Sequence, residues 1–145
     1  MMRIITGSAK GKRLATLDGD ATRPTSERIK GAIFSSIQFE LEEREVLDLF
    51  AGSGQMGLEA LSRGAARATF IDSSREAMEI VKKNAKSCDF FEKSHFLVSD
   101  FRNYIRKHRV GKSTTWYSSI RPTSLNAVPR RRLCLQSRSS LSPVR

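Results

Sequence analysis

The sequence predicts an α/β fold built on a parallel sheet. Apolar runs of strand length alternate with stretches of helical periodicity. The strands are VLDLF at 46–50, ATFID at 68–72 and SHFLVSD at 94–100, and the helices are LEALSRG, SSREAMEIVKKNAKS and FRNYIRKH. A glycine-rich turn, AGSGQMG, joins the first of these strands to its helix. Such strand–helix repetition is typical of parallel sheets with right-handed crossovers.

Before this unit, the segments RIITG, SAKGK and RLATL predict a β-hairpin, because two β-rich runs flank a glycine turn. Three cations lie at its tip or just beyond it: Lys10, Lys12 and Arg13. Two interpretations of these cations stay open. They form a solvated turn, or they form a finger that contacts phosphates.

The segment TRPTSERIKGAIFSSI at 22–37 predicts an amphipathic helix. Its expected buried positions are Ile29, Ala32, Ile33 and Ile37. Further along, Gly64 is a predicted helix stop, since glycine favours the position after a helix. Ser73 with Glu76 predicts a capping box at the start of the following helix.

The glycine turn points to a nucleoside ligand. Gly52, Gly54 and Gly57 match the pattern G-x-G-x-x-G between a strand and a helix, and Asp72 ends the next strand. Glycines let a ligand approach the backbone, and an acid at that place accepts hydrogen bonds from ribose hydroxyls. The alternative is a glycine turn that serves packing only.

Two further acids bear on the ligand. Asp48 lies just before the loop, where a carboxylate repels a pyrophosphate and suits a cationic ligand, so S-adenosylmethionine is favoured over NAD. Asp100 follows the third strand and can accept from an adenine amino group. Each has a structural alternative. Asp48 can cap the strand end, and Asp100 can be the N-cap of the helix that begins at Phe101.

The charge of the chain is divided unevenly. The net charge is +11, from 26 Lys and Arg against 15 Asp and Glu. Residues 106–145 hold 10 of the basic residues and none of the acids, which leaves 16 basic and 15 acidic residues in 1–105. The basic balance therefore belongs to the tail, and its meaning depends on what the tail is.

Length and composition restrict the class of protein. A chain of 145 residues corresponds to one domain, and no apolar run is long enough for a membrane span. The N-terminus has no apolar stretch typical of a signal peptide. Cys88 and Cys134 have neither metal-ligand spacing nor a disulfide framework. We therefore expect no metal site, no membrane partner and a cytoplasmic location.

The order and spacing of four segments carry a family resemblance. RIITGSAKGKRL, TRPTSERIKGAIF, VLDLFAGSGQMGLEALSRGA and FID resemble the bacterial 16S rRNA guanine-N2 methyltransferase family of the RsmD type, over residues 2 to 112. The resemblance implies a Rossmann-like class I methyltransferase fold, S-adenosyl-L-methionine as cofactor, and 16S rRNA or a small-subunit assembly intermediate as partner of a monomeric enzyme. It also implies a set of cofactor-binding residues: Arg23, Thr25, Ser26, Asp48, Gly52, Ser53, Gly54, Asp72 and Asp100.

One motif of that family is missing. Its members have a fourth strand that ends in Asp-Pro-Pro-Tyr, which accepts the hydrogens of the guanine amine and stacks on the extruded base. No such motif occurs in this sequence, so we assign no catalytic residue. Codons for TTWYSSIRPTS at 114–124 can encode YDLVFLDPPYV in a shifted frame. We infer that the frame is lost near Ser113.

This inference divides the chain into three parts. Residues 1–45 form the hairpin and helix, 46–112 form the cofactor-binding half with strands one to three, and 113–145 form an out-of-frame, disordered basic tail. Loss of the fourth strand is expected to leave strand one with an open edge. The alternatives are a methyltransferase acting on DNA adenine or another nucleic-acid amine, a non-catalytic RNA-binding remnant that uses the tail, and, more distantly, a dinucleotide oxidoreductase.

Overall fold

The computed structural model describes residues 2–17 and 27–107, together with the backbone of 114–117. Four parallel strands form one sheet: β1 Glu45–Asp48, β2 Arg67–Asp72, β3 Ser94–Val98 and β4 Thr114–Tyr117. Their order across the sheet is β3-β2-β1-β4. The predicted parallel α/β architecture is therefore confirmed.

The fourth strand corrects one expectation. β4 pairs in parallel with β1, with Glu45 opposite Thr114 and Asp48 opposite Tyr117. The predicted loss of every strand after the third, and the open edge on β1, are therefore wrong. The chain supplies four residues that extend beside β1, and backbone pairing needs no particular side chains.

Four helices accompany the sheet: α1 Glu27–Ile37, α2 Gln55–Ser62, α3 Arg75–Ser87 and α4 Phe101–Lys107. Single 3-10 turns occupy Gln38–Glu40 and Phe91–Lys93. None of the helices in the part of the chain that the structure describes combines the length and apolar character needed to cross a membrane.

Every residue of α2 is buried. The sheet lies on one side of this helix, and the N-terminal segment and α1 lie on the other. The main core forms around it, with Phe34, Leu58, Phe70 and Val81 among its fully buried side chains. A smaller cluster of Leu47, Leu49 and Ile71 lies separately, and Phe101 and Tyr104 of α4 pack against it.

The N-terminal hairpin is present in a reduced form. Its two arms meet at a single antiparallel bridge between Arg3 and Arg13. Ile4 N donates to Lys12 O at 3.0 Å, and Leu14 N donates to Met2 O at 2.9 Å. The predicted hairpin is confirmed, although its arms are too short to be regular strands.

The buried face of α1 agrees with the prediction at Ile37 and partly at Ile33, but the predicted Ile29 and Ala32 are exposed. Lys30, Phe34 and Ile37 are buried, whereas Ile29 is 48% exposed. The Lys30 ammonium is satisfied inside because it donates to Arg3 O at 2.6 Å and lies 3.4 Å from the buried Glu59 carboxylate of α2. A charged residue thereby takes a place that the apolar pattern had assigned to isoleucine.

The start of α3 is also shifted by one residue. Ser74, rather than Ser73, is the N-cap, and its side chain accepts from Ala77 N at 3.2 Å. Ser73 is displaced from that role because Asp72 already caps the turn, accepting from Ser74 N at 2.9 Å. The predicted helix stop at Gly64 is confirmed, since Gly64 has φ +105° directly after the C-cap Arg63.

Candidate functional site

The loop between β1 and α2 has the conformation that its glycines predict. Gly52 has φ +53° and Gly54 has φ +80°, which is the left-handed region that side chains other than hydrogen disfavour. A Cβ added at Gly52 would meet no atom within 4 Å. The backbone at Gly52 therefore borders open space, where a ligand can approach it.

The other two glycines of the motif serve packing. A Cβ at Gly54 would lie 2.9 Å from Cγ1 of Val81 on α3. A Cβ at Gly57 would lie 2.3 Å from Cε1 of Phe70 on β2. The two interpretations of the glycine turn are thus compatible, since one glycine borders open space and two allow close contact between elements.

Asp72 ties the end of β2 to the glycine loop. Its Oδ2 accepts from Gly52 N at 2.9 Å, and its Oδ1 accepts from Ser74 N at 2.9 Å. The side chain is partly buried. Because a carboxylate has about four acceptor positions, capacity remains for the hydroxyls of a ribose.

Asp48 is fully buried at the end of β1. Its Oδ2 accepts from Gly57 N at 3.3 Å, in the first turn of α2. Gly54, the N-cap of α2, has no side chain that could accept from that turn. Asp48 therefore stabilises the positive N-terminal end of α2. This role is close to the alternative in which Asp48 caps the end of the strand. The same carboxylate also lies beside the glycine loop.

Asp100 is exposed just after β3. Its Oδ1 accepts from Arg102 N at 2.8 Å, so it acts as the N-cap of α4. Ser99 N donates to Asp72 O at 2.9 Å, which joins the ends of β2 and β3. Asp48, Asp72 and Asp100 thus follow or end three neighbouring strands at one edge of the sheet.

The remaining predicted site residues divide into three groups. Arg23, Thr25 and Ser26 lie outside the described residues. Ser53 lies in the glycine loop, where its Oγ donates to Met2 Sδ at 2.9 Å. The hairpin cations Lys10, Lys12 and Arg13 are all exposed.

The structure does not bring the hairpin tip to the glycine loop. Ser8 N donates to Ser62 O at 2.8 Å, and Ala9 N donates to Ser62 Oγ at 3.0 Å. Ser62 is the last residue of α2, whereas the glycine loop precedes its first residue. At 1.5 Å per residue, the two ends are about 12 Å apart. A ligand at the loop and a partner at the tip would therefore bind at separate places.

Two polar groups escaped the prediction. Glu59 on α2 is fully buried and accepts from Ile5 N at 2.8 Å, Thr6 N at 3.1 Å and Arg63 Nε at 2.9 Å. Asn84 on α3 is 1% exposed and is hydrogen-bonded to both the hairpin and the glycine loop. In the sequence, only the i,i+4 spacing from Arg63 indicated a partner for Glu59. For Asn84, the sequence indicated only that it lies on the apolar face of its helix.

Comparison with known proteins relates this arrangement to a family. The profile of the family described as "Conserved hypothetical protein 95" matches residues 2–117. The chain belongs to this family. Its fold is that of the Rossmann-like class I methyltransferases, as in the solved structure titled "Putative methyltransferase yhhF from Escherichia coli". That structure has a TM-score of 0.65 and 32% identity, over 72% of this chain and 55% of that one.

Several curated relatives of this chain are rRNA methyltransferases by name. "Putative rRNA methyltransferase YlbH" of Bacillus subtilis is 37% identical over 82% of this chain and 64% of its own length. "Ribosomal RNA small subunit methyltransferase D" of Escherichia coli is 41% identical over 57% of this chain and 42% of its own length. The chain thus spans less than two thirds of either relative.

Proposed function

We propose that this chain carries the cofactor-binding half of an S-adenosylmethionine-dependent methyltransferase that acts on ribosomal RNA. The observation that carries the proposal is the contact of 2.9 Å between Gly52 N and Asp72 Oδ2. It sets an unobstructed glycine backbone beside an acceptor for ribose hydroxyls. The names of the relatives favour a methyl donor over other nucleosides, and rRNA over other acceptors.

The roles proposed for the site residues combine this geometry with the family resemblance. We propose that Gly52 and Ser53 offer backbone to the ligand, that Asp72 accepts from its ribose, and that Asp100 accepts from its adenine amine. Asp48 supplies negative charge near a cationic ligand. Arg23, Thr25 and Ser26 are proposed to lie near the methionine end. When bound, the cofactor supplies an electrophilic methyl group on a sulfonium.

The finer proposal concerns the acceptor. We infer that the target is the exocyclic N2 amine of a guanine in 16S rRNA, within an assembling small subunit in the cytoplasm, and that the intact enzyme is a monomer. The resemblance of residues 2 to 112 supports this target. The sequence has no Asp-Pro-Pro-Tyr motif, so we also propose that the chain as written is inactive and that residues from about 113 are out of frame.

Calorimetry with the 145-residue chain tests the cofactor half. S-adenosylhomocysteine should bind and NAD should not. Asp72→Ala should weaken binding by about 1–3 kcal/mol, since it removes hydrogen bonds to hydroxyls and releases Gly52 N. Glu92→Ala is the matched control, because Glu92 is an exposed acid that precedes β3 at the opposite edge of the sheet. Binding of NAD without S-adenosylhomocysteine would overturn the proposal.

A further inference from the structure

The side chain of Asn84 joins three parts of the molecule. Its Nδ2 donates to Ser53 O at 2.8 Å and to Ala15 O at 2.9 Å. Its Oδ1 accepts from Ala15 N at 2.8 Å. The orientation of the amide is determined by these partners, because two carbonyls need donors and one N–H needs an acceptor. Asn84 therefore links α3, the glycine loop and the second arm of the hairpin.

A second connection runs beside the first. Leu14 N donates to Met2 O at 2.9 Å, and Ser53 Oγ donates to Met2 Sδ at 2.9 Å. Both arms of the hairpin thus reach Ser53, one through Met2 and the other through Asn84. Ser53 lies between Gly52 and Gly54, the two loop glycines with positive φ. A movement of its carbonyl group therefore changes the conformation of the loop.

Because Asn84 is buried, the loss of any of its hydrogen bonds is costly. The residue is 1% exposed, and an amide in such a place is tolerated only while its polar atoms are bonded. If the hairpin arm moved away, Nδ2 and Oδ1 would lose both bonds to Ala15. The docked hairpin and the bonded loop are therefore favoured together, and a ligand that stabilises one stabilises the other.

We propose that Asn84 is a positioning residue that couples the docking of the N-terminal hairpin to the conformation of the glycine loop. The inference rests on the proposed function, in which the loop holds the cofactor, and on the interpretation of the exposed hairpin cations as a finger that contacts RNA phosphates. It makes RNA binding at the tip and cofactor binding at the loop mutually reinforcing, although the two places lie at opposite ends of α2.

Amide hydrogen exchange by NMR on the ligand-free 145-residue chain tests the link itself. Asn84→Ala should speed exchange at the amides of Ala15 and Gly54 by about tenfold or more, since both lose a constraint. The matched control is Met78→Ala on the same helix, where the side chain is 1% exposed and apolar. Equal changes at Ala15 and Gly54 in the two variants would reduce Asn84 to an ordinary core residue.

Calorimetry with S-adenosylhomocysteine tests the consequence for binding. Asn84→Ala should lower the affinity about tenfold, and Met78→Ala should leave it unchanged as long as the protein is folded. Asn84→Asp keeps an acceptor for Ala15 N but loses the donor to both Ser53 O and Ala15 O, so it should lower the affinity as Asn84→Ala does. Wild-type affinity in both Asn84 variants overturns the proposal.

The wild type provides a test that needs no variant. S-adenosylhomocysteine should slow exchange at the amide of Ala15, which lies on the hairpin rather than in the loop. Binding without any change at Ala15 contradicts the coupling. Absence of binding by the wild type defeats the proposed cofactor function instead, and the ligand-free exchange experiment then decides the link alone.

Discussion

Glu59 accepts hydrogen bonds from two backbone amides of the hairpin, and it forms ion pairs with Arg63 at 2.9 Å and Lys30 at 3.4 Å. Burial lowers the pKa of the Lys30 ammonium below its ordinary value of 10.5, and Glu59 opposes that shift. A single carboxylate thus holds the hairpin, α1 and α2 together. Without Glu59, the Lys30 ammonium and the two backbone amides would lose this acceptor while they remain partly or fully buried.

We predict that Glu59→Ala lowers the free energy of unfolding by about 3–5 kcal/mol, because it leaves a buried ammonium uncompensated. Urea denaturation measures the change. Glu79→Ala is the control, since its ion pair with Lys82 lies on the surface, where the loss should stay within about 1 kcal/mol. Equal losses in the two variants would contradict the role given to Glu59.

Cys88 gives a prediction about pH. Burial raises the pKa of its thiol above the ordinary value of 9.0. Above that value the unfolded chain releases the proton while the folded chain keeps it, so stability falls as pH rises through this window. Relative to Cys88→Ala, the unfolding free energy of the wild type should be constant at neutral pH and decrease from about pH 9. Cys134 is present in both proteins and cancels. A difference independent of pH would refute the shift.

The contact between α2 and β2 depends on Gly57. A Cβ there would lie 2.3 Å from the Phe70 ring, so Gly57→Ala must push the helix away from the strand. We expect a loss of about 1–3 kcal/mol in thermal unfolding. Gly31→Ala in α1 is the control, since its Cβ would meet nothing within 4 Å and alanine favours a helix by about 0.5–1 kcal/mol. The two substitutions should therefore have opposite signs.

The hairpin provides a test of RNA binding. Replacing Lys10, Lys12 and Arg13 with Ala in the frame-restored protein should weaken binding to small-subunit rRNA. The slope of log K against log salt should fall by about 0.7–0.9 for each phosphate that the variant no longer neutralises. The control removes three exposed cations at the amino edge of the sheet: Arg44, Arg67 and Lys93. An unchanged slope in the hairpin variant would show that its tip is a solvated turn.

At the level of the whole molecule, the proposal is that the absent Asp-Pro-Pro-Tyr motif decides activity. β4 pairs with β1, so the sheet continues on that side of β1. We predict that the 145-residue chain transfers no labelled methyl to small-subunit rRNA, because Asp, Pro and Tyr of the acceptor motif are absent together. Restoring the frame near codon 113 should recover transfer to guanine N2. Methylation of rRNA by the 145-residue chain would refute the proposal that loss of the reading frame makes it inactive.

The sequence alone was sufficient for the order of elements from the hairpin to α4 and for the glycine loop with Asp72. These features are local: apolar runs, a left-handed turn that demands glycine, and an acid at a fixed distance along a strand–helix–strand unit. Local patterns also placed Asp100 at a helix start, where the structure has it bonded to Arg102 N. These features are determined by residues that are close in sequence, so they can be predicted without knowledge of the tertiary contacts.

Only the tertiary structure decided which polar side chains are inside. Lys30 replaces the predicted Ile29 because Glu59 arrives from another helix, and Asn84 is bonded to Ala15, 69 residues earlier. β4 likewise finds β1 across 69 residues, from Glu45 to Thr114. Hydrophobic periodicity in the sequence indicates which positions are apolar. It does not indicate which donor or acceptor from a distant part of the chain will contact a polar position. The buried polar contacts therefore arise only when the folded chain brings those partners within hydrogen-bond distance.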